Sequence, residues 1–388
     1  MADGIFLSRS AKMFVKLGSD IWEVPILEGY SLSQSTNTSE VTLSEAASSA
    51  GASRRGRRMF NDSLAPAEFS FSTYARPFKS DGSSTGKATT TANEHHAVEE
   101  VLWAMMAGAD TYTANNAYPF SRGTAGSGTK VITPNGTTNT AISFEQSNVV
   151  QLGTGFTVIF ELEEEDTDGG VINYTVSEAV INEATIDFDI EGICTINWSG
   201  MGSIITEGDT PTVRTIFEGT TDTNNFIQNK LTTLSINSTA SNFGNMEDAY
   251  TVTLTGGSIT ISNNITFLTP SELSVINKPI GHVTGTRAVS GNFTCYLDDT
   301  SGGSADLFDD LTTSLSAGTT SAITNSMALT FNIGGASAPI LQLAVPTANV
   351  QIPTHSFDDV VSVDVAFDGL GTGIDQTDEI EITYTGPA

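Results

Sequence analysis

The feature that most constrains this chain is an internal repeat. Ile172–Ser203 reads INYTVSEAVINEATIDFDIEGICTINWSGMGS, and Leu341–Thr372, 169 positions on, reads LQLAVPTANVQIPTHSFDDVVSVDVAFDGLGT. Aligned without a gap, Val176 meets Val345, Ala179 meets Ala348, Phe188 meets Phe357 and Asp189 meets Asp358. Cys194, Ile196 and Trp198 meet Val363, Val365 and Phe367, and Gly200 and Gly202 meet Gly369 and Gly371. Four further landmarks keep the same order. Phe71–Tyr74 is echoed by Phe293–Tyr296, and a short helix ending at Gly108 by one ending at Gly318. Ala141–Phe144 is echoed by Ala328–Phe331, and Leu27–Leu32 by Leu254–Ile259. Self-similarity on this scale means a tandem pair of domains, 1–210 and 211–388, divided near residue 210.

Periodicity sets the fold class. From Ile186 to Trp198 the even positions are Ile186, Phe188, Ile190, Gly192, Cys194, Ile196 and Trp198, and the odd ones begin Asp187, Asp189 and Glu191. Alternation of period two describes a long strand or hairpin with one buried face. The second copy puts Phe357, Val361, Val363, Val365 and Phe367 on one face and Asp358, Ser362, Asp364 and Asp368 on the other. Residues 12–34 read as two strands, and Phe69–Tyr74 as another that Pro77 ends. A helix is expected over about 93–107, capped by Asn93 and closed by Gly108, with Ala97, Val98, Val101, Leu102, Met105 and Met106 on one apolar stripe. Its echo runs over about 304–317, with Leu307, Phe308, Leu311 and Leu315 on the stripe. The expected fold is mainly β: two tandem β-sandwich domains, each with one flanking α-helix and a long loop.

The long loop, about 35–61, carries Arg54, Arg55, Arg57 and Arg58, a quarter of the chain's 16 lysines and arginines. Loops of this length are functional or mobile. A nucleic-acid contact, a solvated surface and a protein contact are all open readings. Against 45 acidic residues and a net charge of −29, the most available partner is another copy of the chain. The same charge argues against general nucleic-acid affinity and against an anionic membrane surface. No apolar run approaches the roughly 20 residues of a spanning helix, and the N-terminus does not read as a signal peptide.

Sites for chemistry do not emerge. His95 and His96 are adjacent and cannot easily serve one ion; with His282 and His355 they give no zinc spacing. Asp166/Asp168 and Asp298/Asp299 resemble calcium loops without the full ligand set and read as acidic turns. Cys194 and Cys295 have Val363 and Thr73 as their repeat counterparts, so they read as small strand residues. Gly-x-Ser-x-Gly and phosphate-cradling glycine loops are absent. No enzyme, metal or cofactor is expected.

Taken in order, several segments resemble a phage tail tube protein of the kind in which the tube domain is duplicated. They are Ser10–Lys16, Trp22–Tyr30, the polar loop to Arg58, the Phe69–Tyr74 strand, the single helix, and the β-rich blocks closing in Gly-x-Gly. The resemblance covers the whole chain, although 204–250 and 373–388 match each other poorly. It implies a structural virion protein, made in the host cytoplasm, that stacks in rings as the hollow tail tube and conducts DNA. It implies β-sandwich domains whose sheets pair edge to edge, so that three chains make a pseudo-sixfold trimeric ring lined by one barrel. Rings would stack head to tail, the long loop reaching the next ring. Tape-measure, terminator and tip proteins would be partners, and DNA would pass without specific binding. Duplicated tube domains fit a long non-contractile tail. On this reading Asp187, Asp189, Glu191, Asp358, Asp364 and Asp368 face the lumen, and Arg54, Arg55, Arg57 and Arg58 contact acidic groups of the adjacent ring. A secreted β-rich adhesin or carbohydrate-binding module is the alternative, which calcium-dependent folding would support.

Overall fold

The computed structural model of the chain describes residues 6–41, 57–82, 92–108, 111–112, 120–121, 132–135, 139–142, 144, 155–164, 170–208, 211, 219–238, 249–316, 327–373 and 376–387. The first half begins with β1 (Phe6–Leu17), β2 (Asp20–Val24), β3 (Ser31–Ser33), β4 (Thr36–Val41), β5 (Arg58–Leu64) and β6 (Ala67–Tyr74). It continues with β7 (Pro77–Lys79), β8 (His95–Ala97), α1 (Glu100–Ala107), β9 (Thr111–Tyr112), β10 (Phe120–Ser121), β11 (Ile132–Asn135) and β12 (Asn139–Ile142). It ends with β13 (Phe156–Glu164), β14 (Val171–Val176), β15 (Val180–Asp187), β16 (Thr195–Gly202) and β17 (Ile205–Gly208). The second half holds β18 (Thr233–Ser238), β19 (Ala249–Thr251), β20 (Leu254–Ser262), β21 (Thr266–Leu268), β22 (Gly281–Val283) and β23 (Ala288–Tyr296). Then come α2 (Ser304–Ser316), β24 (Met327–Ile333), β25 (Ile340–Val350), β26 (Thr354–Phe357), β27 (Val361–Gly369) and β28 (Glu381–Thr385). The chain is mainly β and its sheets are antiparallel.

Both halves pair their strands by one scheme. In the first, β2–β1–β13–β14–β17 form a sheet, and in the second β19–β18–β24–β25–β28 follow the same order. The series β3–β6–β16–β15 is matched by β20–β23–β27–β26. The β4–β5 hairpin is matched by β21–β22. Registers agree as well. Leu32 lies opposite Phe69, and its echo Ile259 lies opposite Gly291, two residues before Phe293 as Phe69 is two before Phe71.

The pairing corrects two of the echoes. Phe71 lies opposite Trp198, but Phe293 lies opposite Val365. Trp198 therefore answers to Val365, not Phe367, and Gly202 answers to Gly369. The ungapped alignment fails at the turn into β27, which is two residues shorter than the turn into β16. Turn length is free to change because no ladder passes through it. The second correction concerns Phe331. β24 pairs with β18 and β25 as β13 pairs with β1 and β14, so Phe331 answers to Phe160. The Ala141–Phe144 segment instead supplies β12, which pairs with β28.

The helix expected from residue 93 starts at Glu100. Asn93 has a left-handed φ of 74° and caps nothing; β8 pairs with β7. Local helix preference loses because the side chains of Glu94, His95, His96 and Glu99 are drawn into a buried polar cluster. α1 is buried on every side rather than along one stripe. α2 buries Leu307 and Leu311, but Leu315 is exposed; Gly318 lies outside the described residues. The expected loop 35–61 is in its described parts a hairpin, β4 with β5. It is an exposed ribbon without a buried face, so periodicity could not reveal it.

One main apolar cluster runs through both halves. Trp103 of α1 meets Trp198 edge-on at 4.7 Å, and Phe71 meets Phe160 at 6.5 Å. The second half is centred on Phe331, with Phe293 and Phe367 at 6.2 and 5.8 Å. Large aromatic areas removed from water dominate the energetics of such cores.

Candidate functional site

The halves meet edge to edge through β15 and β20. Thr185 lies opposite Thr260, Ile186 opposite Ile259 and Asp187 opposite Ser258. Phe188 and Gly257 extend the ladder with a reciprocal pair of backbone hydrogen bonds, 3.0 and 3.1 Å. One antiparallel sheet therefore runs β3–β6–β16–β15–β20–β23–β27–β26 through the whole molecule.

Its two faces differ sharply in chemistry. Ile186, Ile196, Trp198, Ile259, Phe293, Val363 and Val365 point into the core. The opposite face carries serine, threonine, asparagine and carboxylates, and none of these eight strands contains a lysine or arginine. Side-chain hydrogen bonds cross this face from strand to strand. Ser31 meets Ser70 (2.7 Å), Ser72 donates to Asn197 (2.6 Å), and Asn197 donates to Asp187. Thr185 meets Thr260 (3.0 Å), Ser258 donates to Asn292 (2.9 Å) and Thr294 donates to Asp364 (2.5 Å). Two of these links repeat in both halves: Ser31–Ser70 with Ser258–Asn292, and Ser72–Asn197 with Thr294–Asp364.

Of the six acidic residues singled out in the sequence, Asp187, Asp364 and Asp368 lie on this polar face. Burial and neighbouring Asp189 raise the Asp187 carboxyl above its ordinary pKa. Asp189 and Glu191 sit in the exposed turn after β15, together with exposed Ile190, which breaks the expected alternation. Asp358 sits in the turn between β26 and β27 and accepts a hydrogen bond from Ser356 (3.2 Å). Two further carboxylates, Glu68 and Glu183, share the face. The alternation Ala67-Glu68-Phe69-Ser70-Phe71 carried the signal for the first.

The sheet ends in two unlike edges. Phe357, expected in the core, is 81% exposed, whereas its echo Phe188 is 1% exposed and packs on Phe331 at 5.4 Å. Phe188 is covered because β20 lies beside it; among the described residues β26 pairs only with β27. At the other edge Tyr30 stacks on Phe160 at 5.6 Å, and Leu32 is half-buried.

The basic loop is divided. Arg54 and Arg55 lie outside the described residues. Arg57 forms a two-pronged ion pair with Glu40 across the hairpin, 2.5 and 2.6 Å, and Arg58 is exposed. This hairpin touches the β21–β22 connection, where Leu64 N–H donates to the Asn277 carbonyl at 2.7 Å. Together they expose Met59, Phe60, Leu273, Val275, Ile276 and Ile280. The apolar character of this end is a feature that the arginines had drawn attention away from.

A buried polar knot ties the halves on the other side. Tyr384 of β28 donates to Glu99 (2.7 Å) and accepts from Trp103 (2.9 Å), and Gly386 N–H donates to His95 (2.8 Å). Burial lifts the Glu99 carboxyl to about 7. Burial alone would lower His96, but Glu100 at 3.0 Å and Glu94 at 3.7 Å raise it to about 9. Arg76 donates to the carbonyls of Gly219, Thr220 and Asp222 and to Asn225, pinning the segment between the halves. Most of these groups pair with one another, whereas Glu100 Oε1 is buried without a hydrogen-bond partner among the described residues. Cys194 and Cys295 are buried free thiols. Asp298 accepts from Thr300 N–H (2.9 Å) in the loop that opens α2, while Asp166 and Asp168 lie outside the described residues. Among the described residues no His, Cys, Asp or Glu cluster suits a metal, and no helix is long and apolar enough to cross a membrane.

A family model described as "Phage tail tube protein" matches residues 62–382. The chain is also 30% identical over 388 residues to the tail tube protein pb6 of Escherichia phage T5, an alignment covering 96% of this chain and 74% of that protein.

Proposed function

This chain belongs to the phage tail tube protein family, and from that premise we propose how its two halves build the tube. Its role is structural: it is a virion protein of the tail tube, which assembles with itself and with other tail proteins. Each half is one tube domain, the two having arisen by duplication, with the join between β17 and β18. Three chains close a ring with pseudo-sixfold symmetry. The eight-stranded sheet supplies one third of the ring wall, its polar face turned to the lumen. The two hairpins and their exposed apolar residues, with Arg54, Arg55, Arg57 and Arg58, reach the adjacent ring. Tape-measure, terminator and tip proteins complete the tail, which is long and non-contractile.

The observation that carries this reading is the β15–β20 joint. It joins two sheets of one pairing scheme edge to edge and, among the described residues, leaves one unpaired edge at each end, β3 and β26. Closure would remove both edges, a common way to avoid uncontrolled strand pairing. The lumen follows from charge. A wall without basic groups offers phosphates no counter-ion to bind, and carboxylates at Glu68, Glu183, Asp187, Asp364 and Asp368 repel them. Its hydroxyl and amide donors are largely engaged with neighbouring strands, so DNA slides past without being held. Asp189, Glu191 and Asp358 stand at the margins of the wall.

Electron microscopy of the purified protein, viewed end-on, tests this. Threefold rings or tubes with six similar lobes are expected. Sixfold rings of single chains would keep the conduit and overturn the trimer. Two-lobed monomers that never stack, even with an initiator complex, would overturn the tube reading.

A further inference from the structure

The joint inside the chain is a template for the joint between chains. Under the ungapped part of the repeat, Thr185, Ile186, Asp187 and Phe188 answer to Thr354, His355, Ser356 and Phe357. By the Leu32–Ile259 echo, Thr260, Ile259, Ser258 and Gly257 answer to Ser33, Leu32, Ser31 and Tyr30. The first set lies on the open edge strand β26 and the second on or beside the open edge strand β3. We propose that β26 of one copy pairs antiparallel with β3 of the next in the register of the β15–β20 joint. Thr354 then lies opposite Ser33, His355 opposite Leu32, Ser356 opposite Ser31 and Phe357 opposite Tyr30. This rests on the ring reading above and names its contact residues.

The local chemistry fits such a joint and shows where it stops. In the internal joint Phe188 and Gly257 exchange backbone hydrogen bonds, so alternation makes Ile186–Ile259 a second hydrogen-bonded pair. His355–Leu32 and Phe357–Tyr30 take these places. One step further, Ala184 is replaced by Pro353, which has no N–H to give. Its partner there, Gln34, uses its side chain on the Ala65 and Ser203 carbonyls and the Ile205 N–H, at 2.8, 3.1 and 2.9 Å. The joint is therefore short, in keeping with the three residues of β3.

Side chains make this contact a different kind of joint. A Cβ on Gly257 would lie 2.9 Å from the Phe188 ring, so glycine is what lets Phe188 reach Phe331. The same place at the open edge is occupied by Tyr30, already stacked on Phe160. An incoming Phe357 meets the Tyr30 ring rather than a hole. Its own copy presents it beside His355 (6.2 Å), which rests edge-on against Phe308 of α2 (4.9 Å). Aromatic pairs across strands are favourable contacts of this kind.

Paired cysteines test the register. Ser31→Cys with Ser356→Cys occupies a non-hydrogen-bonded pair, whose Cα separation of about 4.5 Å lies within disulfide reach. Buried Cys194 and Cys295 do not compete. Oxidation of assembled protein is expected to convert monomer into a covalent ladder that ends at three chains. Ser31→Cys with Thr354→Cys, displaced by about 7 Å along the strand, is expected to leave monomer. Cross-linking by the displaced pair instead would overturn the register while rings in the microscope kept the tube reading. A ladder running past three keeps the register and overturns the trimer, and failure of the unmodified protein to assemble with an initiator complex overturns both proposals. Independently, Phe357→Ala is expected to abolish ring formation with an unchanged melting temperature; normal rings from that variant would overturn the contact.

Discussion

Phe188 and Phe357 hold the same place in two copies of one pairing scheme, and their surroundings are opposite. The first is sealed between β15 and β20 and completes the core of the second half. The second stands in solvent at the end of the sheet. Burial of a strand residue is thus decided by whether another strand lies beside it, not by its own alternation phase. The contrast extends to the receiving side. Gly257 leaves a hole that is always filled, because the filler is on the same chain. Tyr30 plugs the equivalent hole, so an unassembled chain is not left with an open cavity in its core.

Four substitutions would break or sharpen this comparison. Phe188→Ala removes an aromatic from a filled core and is expected to cost about 3–5 kcal/mol, whereas Phe357→Ala should change stability by less than about 0.5 kcal/mol. Denaturant titration of both variants reads the difference; equal losses would mean that the two sites are not inside and outside versions of one contact. The next effect concerns the second tie between the halves. Glu99 has its folded pKa raised from 4.5 to about 7, so its contribution to stability is complete below pH 4.5 and is lost as pH rises through 7. His96, raised to about 9, contributes fully below about 6.5 and loses that contribution as pH rises through 9. Glu99→Gln should flatten the fall in stability between pH 5 and 8 by up to about 3 kcal/mol. A pH profile parallel to the unmodified protein's would place that carboxyl outside the linkage. A smaller loss than those at Phe188 and Glu99 is expected for Gly257→Ala. The added methyl meets the Asn292 carbonyl at 2.5 Å and the Phe188 ring at 2.9 Å, an overpacking expected to cost about 1–3 kcal/mol. Calorimetry would show the lower melting temperature, and an unchanged one would mean that the joint has slack.

Much of this was legible in the residues. The alternation through Ile186, Ile196 and Trp198 marks the β15–β16 hairpin, and Leu307 with Leu311 marks α2. The Leu32–Ile259 and Phe71–Phe293 echoes carry the registers. What was not legible depends on partners distant in sequence. Asn93 reads as a helix cap until β7 claims the segment. Phe331 echoes Phe144 by spelling and Phe160 by pairing, because short apolar motifs recur by chance and ladders do not. The cross-strand chain of hydroxyls and amides needs the alignment of seven strands at once. Glu68 was in reach, since it alternates between buried residues, but one acid in a Ser- and Thr-rich strand has little contrast.

Placing both halves on one chain also changes the order of the assembly reaction. The β15–β20 joint forms within one chain, so dilution cannot undo it. A six-lobed ring built from such chains needs encounters among three bodies rather than six, so its yield falls off far less steeply with scarcity. Half of its joints are settled before any two molecules meet. In the proposed ring the remaining half form only when chains meet.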